Sequence, residues 1–169
     1  MHPGDIEYII VHCSATKPSQ DIGVRDIDRW HRENGWSGCG YHWVIKRDGT
    51  IQAGRNEGRA GAHCKGVNTI SIGVCLVGGI AESSATAWGQ PENNFTRPQF
   101  HSLSRLLHEL LARYPKARVK PHSAFANKSC PCFPVEAWWN SVRDSSRVPP
   151  PPPPQATEDG HCPYCGALL

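Results

Sequence analysis

Two apolar runs restrict this chain more than anything else in it. Residues 6–11 (Ile6-Glu7-Tyr8-Ile9-Ile10-Val11) and 71–77 (Ser71-Ile72-Gly73-Val74-Cys75-Leu76-Val77) scarcely alternate with polar positions. A strand with one wet face alternates, so a near-continuous apolar run marks a strand covered on both faces. Residues 6–12 therefore predict one buried strand and 71–77 a second, central one. Helical segments suited to cover them are present. Residues 24–33 place Val24, Ile27, Trp30 and His31 on one helical face and stop at Asn34-Gly35. Thr96 with Gln99 three residues on forms a capping box. From there Phe100, Leu103, Leu106, Leu107, Leu110 and Leu111 recur at helical spacing up to Pro115. Residues 135–142, with Trp138 and Trp139, predict a last packing helix.

Between these lie a hairpin and a short strand. Residues 41–46 and 50–53 flank Asp48-Gly49, which supplies the positive φ angles of a tight turn. Residues 118–120 predict a strand leading to His122, and the small, polar stretch 80–94 predicts a loop. The order of strands and helices gives an α/β fold, a central mixed β-sheet flanked by helices.

A length of 169 residues fits one domain with a small appendage. Six consecutive prolines, 149–154, mark where that domain ends: 1–148 is expected to be the catalytic domain, 149–159 a polyproline and polar linker, and 160–169 a short tail. The net charge of +3 is too small to argue for nucleic-acid binding, yet is compatible with an anionic polymer such as a bacterial wall. No run approaches the ~20 apolar residues of a membrane span. The N-terminus lacks a basic region followed by an apolar one, so the expectation is a protein held in the cytoplasm until something releases it. Eight cysteines without a secretory signal point to metal binding before a disulfide framework. Cys75, inside an apolar run, reads as a small buried hydrophobe, and Cys13 as a packing residue.

Three residues remote from one another carry the chemistry. His12 ends the first apolar run; His122 and Cys130 follow the predicted 118–120 strand. Two imidazoles and a thiolate suit zinc, and three protein ligands leave a fourth position for water, as in a catalytic rather than a structural site. Spacing alone does not join them. A histidine at a strand end is commonly an edge residue, Cys130 also reads as a structural thiol, and Cys132 is an alternative ligand two residues on.

Several blocks, in order, resemble the phage-type zinc N-acetylmuramoyl-L-alanine amidases, and among them the small enzymes called lysozymes in T-odd coliphages. They are Val11-His12-Cys13-Ser14-Ala15-Thr16-Lys17-Pro18-Ser19-Gln20, then Gly40-Tyr41-His42-Trp43-Val44-Ile45-Lys46-Arg47-Asp48-Gly49-Thr50, then residues 68–79, Asn94-Phe95-Thr96 and the Trp138-Trp139 pair. The resemblance spans residues 6–139 and implies the amidase/peptidoglycan-recognition fold. It also implies zinc ligands at His12, His122 and Cys130, a catalytic tyrosine at Tyr41, a catalytic lysine at Lys128, and at His63 a histidine beside the substrate cleft. One departure concerns His122: many relatives carry an acidic residue within two positions of it, whereas Ser123 and Ala124 follow here.

The implied reaction is hydrolysis of the amide joining N-acetylmuramic acid to L-alanine in peptidoglycan, by an endolysin that reaches the wall through a holin-type pore. Zinc lowers the pKa of bound water to about 7 and polarises the carbonyl, Lys128 would stabilise the oxyanion, and Tyr41 would orient water or assist proton transfer. The alternative is a peptidoglycan-binding module without catalysis, since recognition proteins of this fold that lack the cysteine ligand bind without cutting. Some coliphage relatives also bind RNA polymerase; that partner rests on analogy alone. In the tail, Cys162-Pro163-Tyr164-Cys165-Gly166 is one zinc-ribbon knuckle. With His161 it is a candidate second zinc site, either within one chain or completed by self-association of two tails.

Overall fold

The computed structural model describes residues 1–85 and 89–144. Five strands form one sheet: β1 (Tyr8–Cys13), β2 (Trp43–Ile45), β3 (Ile51–Ala53), β4 (Ser71–Leu76) and β5 (Arg118–Pro121). Their order is β3-β2-β4-β1-β5. β1 runs parallel to both β4 and β5, β2 runs parallel to β4, and only the β2–β3 hairpin is antiparallel. The sheet is thus mixed, with the two apolar runs as adjacent inner strands. Every residue of β4 is buried, as is β1 from Ile9 onward.

Three helices cover the sheet: α1 (Val24–Glu33), α2 (Arg97–Arg113) and α3 (Val135–Val142). Alternate residues of β4 enter different cores. Ile72, Val74 and Leu76 pack with Ile9 and Val11 against Leu103, Leu106, Leu107 and Leu110 of α2 and Val135 and Trp139 of α3. Cys75 and Val77 pack with Val44 against Ile22, Ile27 and Cys39 on the α1 side. This two-sided coverage explains why the strands do not alternate.

The helix boundaries follow their caps. Thr96 Oγ1 accepts from the Gln99 backbone N–H (3.2 Å) and Gln99 Oε1 accepts from the Thr96 N–H (3.0 Å), the reciprocal box expected from the sequence. Gln99 is wholly buried because its amide has a second use: Nε2 donates to the carbonyls of Ile45 (3.1 Å) and Val77 (2.9 Å). One side chain therefore caps α2 and ties it to the ends of β2 and β4. At α1, Asp26 Oδ2 accepts from the Gly23 N–H and Gln52 Oε1 from the Val24 N–H.

Between Ile80 and Asn94 the described residues form no named strand or helix, only an isolated bridge between Ile80 and Pro91. No helix among the described residues is long and apolar enough to cross a membrane. The proline run and the tail with His161, Cys162 and Cys165 lie outside the described residues.

Candidate active site

Parallel pairing brings the first two site residues together. In the β1–β5 register Val11 lies opposite Pro121, so the next residues, His12 still within β1 and His122 just past β5, stand side by side. Their rings are 4.5 Å apart between centroids. Both lie at the carboxyl ends of parallel strands, the edge where open α/β sheets bind ligands. Val11 points into the α2 side, so by alternation His12 faces the α1 side. There Val44 and Cys75 pack against Ile22 and Ile27, and His12 itself is buried.

Cys130 arrives on the loop that follows. Its carbonyl accepts from the Ser123 N–H (3.0 Å), which closes the segment between the two residues onto itself. Its Sγ accepts from the Cys13 backbone N–H (3.3 Å) and lies 4.0 Å from His12 Nδ1. One donor atom from each of His12, His122 and Cys130 lies within 4.8 Å of the other two.

Electrostatics favour the metal-binding form of each group. Burial holds the His12 imidazole well below its ordinary pKa, and His63, His122 and Lys128 add to this. Burial, with Lys128, also lowers His122. Cys130 is lowered, first by its hydrogen bond from the Cys13 thiol, then by the Cys13 N–H and Lys128, against the opposing effect of burial. Two neutral imidazoles and a thiol biased towards thiolate are the forms in which these groups bind a metal. Tetrahedral zinc, with bonds of about 2.3 Å to sulfur and about 2.0–2.1 Å to nitrogen, spans donors roughly 3.3–3.6 Å apart. The 4.0 Å between Cys130 Sγ and His12 Nδ1 needs only a small side-chain adjustment. The donor set fits.

Tyr41 and Lys128 border this cluster. The Tyr41 ring lies 5.1 Å from His12 and 5.5 Å from His31. Burial, reinforced by nearby thiols, pushes its phenol well above the ordinary value, so it is a neutral donor. Lys128 is exposed, and its charge is felt at His12, His122 and Cys130 alike.

His63 is partly buried and packs between His12 and His42. His12 Nε2 and His63 Nδ1 are 3.0 Å apart, so the nitrogen of His12 turned away from Cys130 meets a second imidazole. Burial, with His42 and His122, lowers the His63 pKa to about 3. Asn68 Oδ1 holds its loop by accepting the N–H groups of both His63 and Cys64 (2.9 Å each). Gly73 makes the room: a Cβ there would lie 2.6 Å from His63 Cδ2. A glycine inside a buried strand signals such a close approach, so this contact had a trace in the sequence.

Three other residues had little or no signature in the sequence. His42 is buried, with Nδ1 accepting from the Gly73 N–H (2.9 Å) and Nε2 donating to the Arg59 carbonyl (3.1 Å). Both nitrogens are thus occupied, which removes His42 from any ligand set. His31 Nδ1 accepts from the Gly40 N–H (2.9 Å) and so fixes the backbone just before Tyr41. Cys13, expected only to pack, is buried but places its thiol 3.8 Å from Cys130 Sγ. Cys132 turns away from the histidines, towards Cys13 (3.9 Å).

Residues 2–133 match the family described as N-acetylmuramoyl-L-alanine amidase. The chain belongs to this amidase family. It is 53% identical over 131 residues to the endolysin of Escherichia phage T7, a match covering 78% of this chain and 83% of that one. Among solved structures, the amidase LysC from Clostridium intestinale URNW superposes with a TM-score of 0.69 at 30% identity, covering 83% of this chain and 87% of the other. Drosophila PGRP-LB shares the fold, with a TM-score of 0.62 at 21% identity over 86% and 84% of the two chains. The amidase is therefore a phage-endolysin-type enzyme that lyses peptidoglycan. Its α/β architecture, a five-stranded mixed sheet with three helices, is that of the family.

Proposed function

We propose that this amidase is zinc-dependent, with His12, His122 and Cys130 holding the ion and Tyr41 and Lys128 acting on the substrate. The bond cut is the amide between the lactyl group of N-acetylmuramic acid and L-alanine. The observation that carries the reading is the convergence of three metal-binding donors, from β1, from the end of β5 and from the following loop, within 4.8 Å. Zinc held there supplies Lewis acidity, polarising the carbonyl and lowering the pKa of water to about 7.

The protein's own groups do the rest. Lys128, a charge beside the cluster, stabilises the oxygen that becomes negative as the carbonyl turns tetrahedral. Tyr41, kept neutral by burial, offers an O–H that orients the attacking water or hydrogen-bonds the substrate. His63 receives the second nitrogen of His12 and fixes the direction of that ring, the role an outer partner has for a ligating histidine. The division of the chain into a catalytic unit over 1–148, a linker over 149–159 and a tail over 160–169 belongs to the same proposal. So does a second zinc on Cys162, Cys165 and His161. A truncation after residue 148 that clears peptidoglycan and holds one zinc fewer than the full chain supports that division.

The test of the main reading is clearing of purified peptidoglycan by wild type and by Cys130→Ala, with chelator and then with zinc restored. Clearing that exposes new N-terminal alanine, stops with chelator, returns with zinc and is absent in the variant is expected. Clearing by chelated enzyme, or full activity in Cys130→Ala, rejects it.

A further inference from the structure

We propose that Cys13 and Cys132 are a disulfide-forming pair that, once oxidised, ties the loop carrying Cys130 to the end of β1 and leaves Cys130 free to bind metal. The metal half of this statement rests on reading Cys130 as a zinc ligand; the pairing of Cys13 with Cys132 does not.

Cys39, Cys64 and Cys75 are buried as free thiols. Cys13, Cys130 and Cys132 come together: Cys13 Sγ lies 3.8 Å from Cys130 Sγ and 3.9 Å from Cys132 Sγ. Distance does not choose the partner; surroundings do. Cys130 Sγ accepts the Cys13 N–H and lies 4.0 Å from His12 Nδ1, within the candidate ligand set. The Cys132 thiol lies against the carbonyls of Gly79 (3.2 Å) and Ser129 (2.9 Å) and the backbone of Glu92, and it stands outside the His12–His122–Cys130 set. A thiol bound to zinc is withdrawn from oxidation, whereas one resting on carbonyls is not.

The fold also leaves room for the bond. Gly79, at φ +102°, has no side chain where the two sulfurs meet. A Cβ there would lie 2.8 Å from Cys13 Sγ and 3.5 Å from Cys132 Sγ. Cys132 has φ +74°, a left-handed conformation that a non-glycine residue seldom adopts, and this turn directs its thiol back towards β1. Cys13 is buried, but Cys132 is partly exposed, so an oxidant reaches the pair from the Cys132 side.

The setting of the reaction supplies the oxidant. Peptidoglycan lies outside the cytoplasmic membrane, where dithiols meet protein disulfides that accept two electrons. The two thiols lose two hydrogens, one S–S bond forms, and the accepting disulfide becomes a dithiol. The new bond would join positions 119 residues apart, a long loop whose closure chiefly restricts the unfolded chain. It would fix the Cys130 loop against the strand that carries His12, and so hold two candidate ligands in register.

The test uses the full chain loaded with zinc and treated with diamide, whose N=N bond is reduced to a hydrazine as the disulfide forms. Free thiols are then alkylated, and digested peptides are mapped by mass spectrometry, which reads Cys162 and Cys165 separately. The expected result is a Cys13–Cys132 cross-link with the catalytic zinc retained and a thermal midpoint raised by several degrees. Reductant should reverse that rise, and Cys132→Ser should lack it. A Cys13–Cys130 cross-link with zinc release overturns the proposal, as does no cross-link among the three. If the reduced protein binds no zinc, the ligand reading fails while the peptide map still decides the pair.

Discussion

Gly73→Ala isolates the contact between His63 and the sheet, and its size can be worked from the geometry. The added methyl would lie 2.6 Å from His63 Cδ2 and 2.7 Å from Cγ, where ordinary contact begins at 3.4 Å. The ring must retreat by about 0.8 Å, whereas the 3.0 Å bond to His12 has only about 0.5 Å of slack before it exceeds hydrogen-bond length. Retreat is obstructed elsewhere, since Gly61 also lies against the ring and His42 stands 5.6 Å away. Overpacking of this kind costs about 1–3 kcal/mol, which for a chain of this size lowers the midpoint by roughly 2–12 °C. Loss of an outer partner of a ligating histidine costs about 10–100-fold in metal affinity. Zinc affinity would be read by competition with a fluorescent chelator at a temperature where the variant is fully folded. Because the whole effect passes through His63, Gly73→Ala in a His63→Ala background should change affinity little further. A folded Gly73→Ala whose zinc affinity stays within twofold of wild type would refute the chain from strand to ligand, as would simple additivity in the double variant.

Three further outcomes are expected. Lys128→Ala should lower kcat by about 10²–10³ with zinc content unchanged, the loss expected when an oxyanion-stabilising group is removed; lost zinc instead would make Lys128 a structural residue. Glu57 accepts from Trp43 Nε1 (2.7 Å), Arg113 Nη1 (2.6 Å) and Tyr114 Oη (2.5 Å). Burial would raise its pKa, but these donors outweigh it and hold the carboxyl below its ordinary value, so its stabilisation is present above the unfolded pKa of about 4.3 and is lost as pH falls through the folded one. Glu57→Gln should therefore be less stable than wild type by about 1.5–3 kcal/mol near pH 7, with the gap closing below about pH 4; a gap independent of pH in thermal melts would contradict it. Gln99→Leu keeps the Thr96 cap but removes the acceptor for the Thr96 N–H and leaves the Ile45 and Val77 carbonyls without the amide they accept from, at about 2–4 kcal/mol, while the activity of the folded enzyme is kept; a midpoint unchanged within a degree would reject that account.

Much of the fold was legible because burial imposes period on sequence. α1 and α3 occupy the residues that helical spacing predicted, and the Thr96–Gln99 box is made as expected. The strands differ at their ends, β1 starting at Tyr8 and running on to Cys13, and β4 stopping at Leu76. There hydrogen bonding to a neighbour, not apolarity, sets the limit. Register was not legible: that Val11 faces Pro121 is a property of two strands 110 residues apart, and it is this pairing that brings His12 beside His122. Asn68 and His42 were hidden for a related reason. Each serves through polar bonds to backbone N–H groups, Asn68 to its own loop and His42 to Gly73 on β4, and such bonds leave no periodic trace in the chain.

Cys13 and Cys132 show the same limit from the other side. Strand alternation sends the Cys13 side chain away from His12, and that reasoning makes it a packing residue. The Cys130 loop, however, passes across the end of β1, not over one of its faces. At a strand end the two faces cease to be separate, so residues of opposite parity can serve one site: His12 through its ring, Cys13 through its N–H and thiol. An alanine at position 13 would keep the N–H bond to Cys130 Sγ and lose the thiol. If the N–H is the part that sustains ligation, Cys13→Ala should hold zinc nearly as well as wild type in reducing buffer yet gain no stability on oxidation. A variant that loses zinc under reducing conditions would instead assign the support of Cys130 to the thiol.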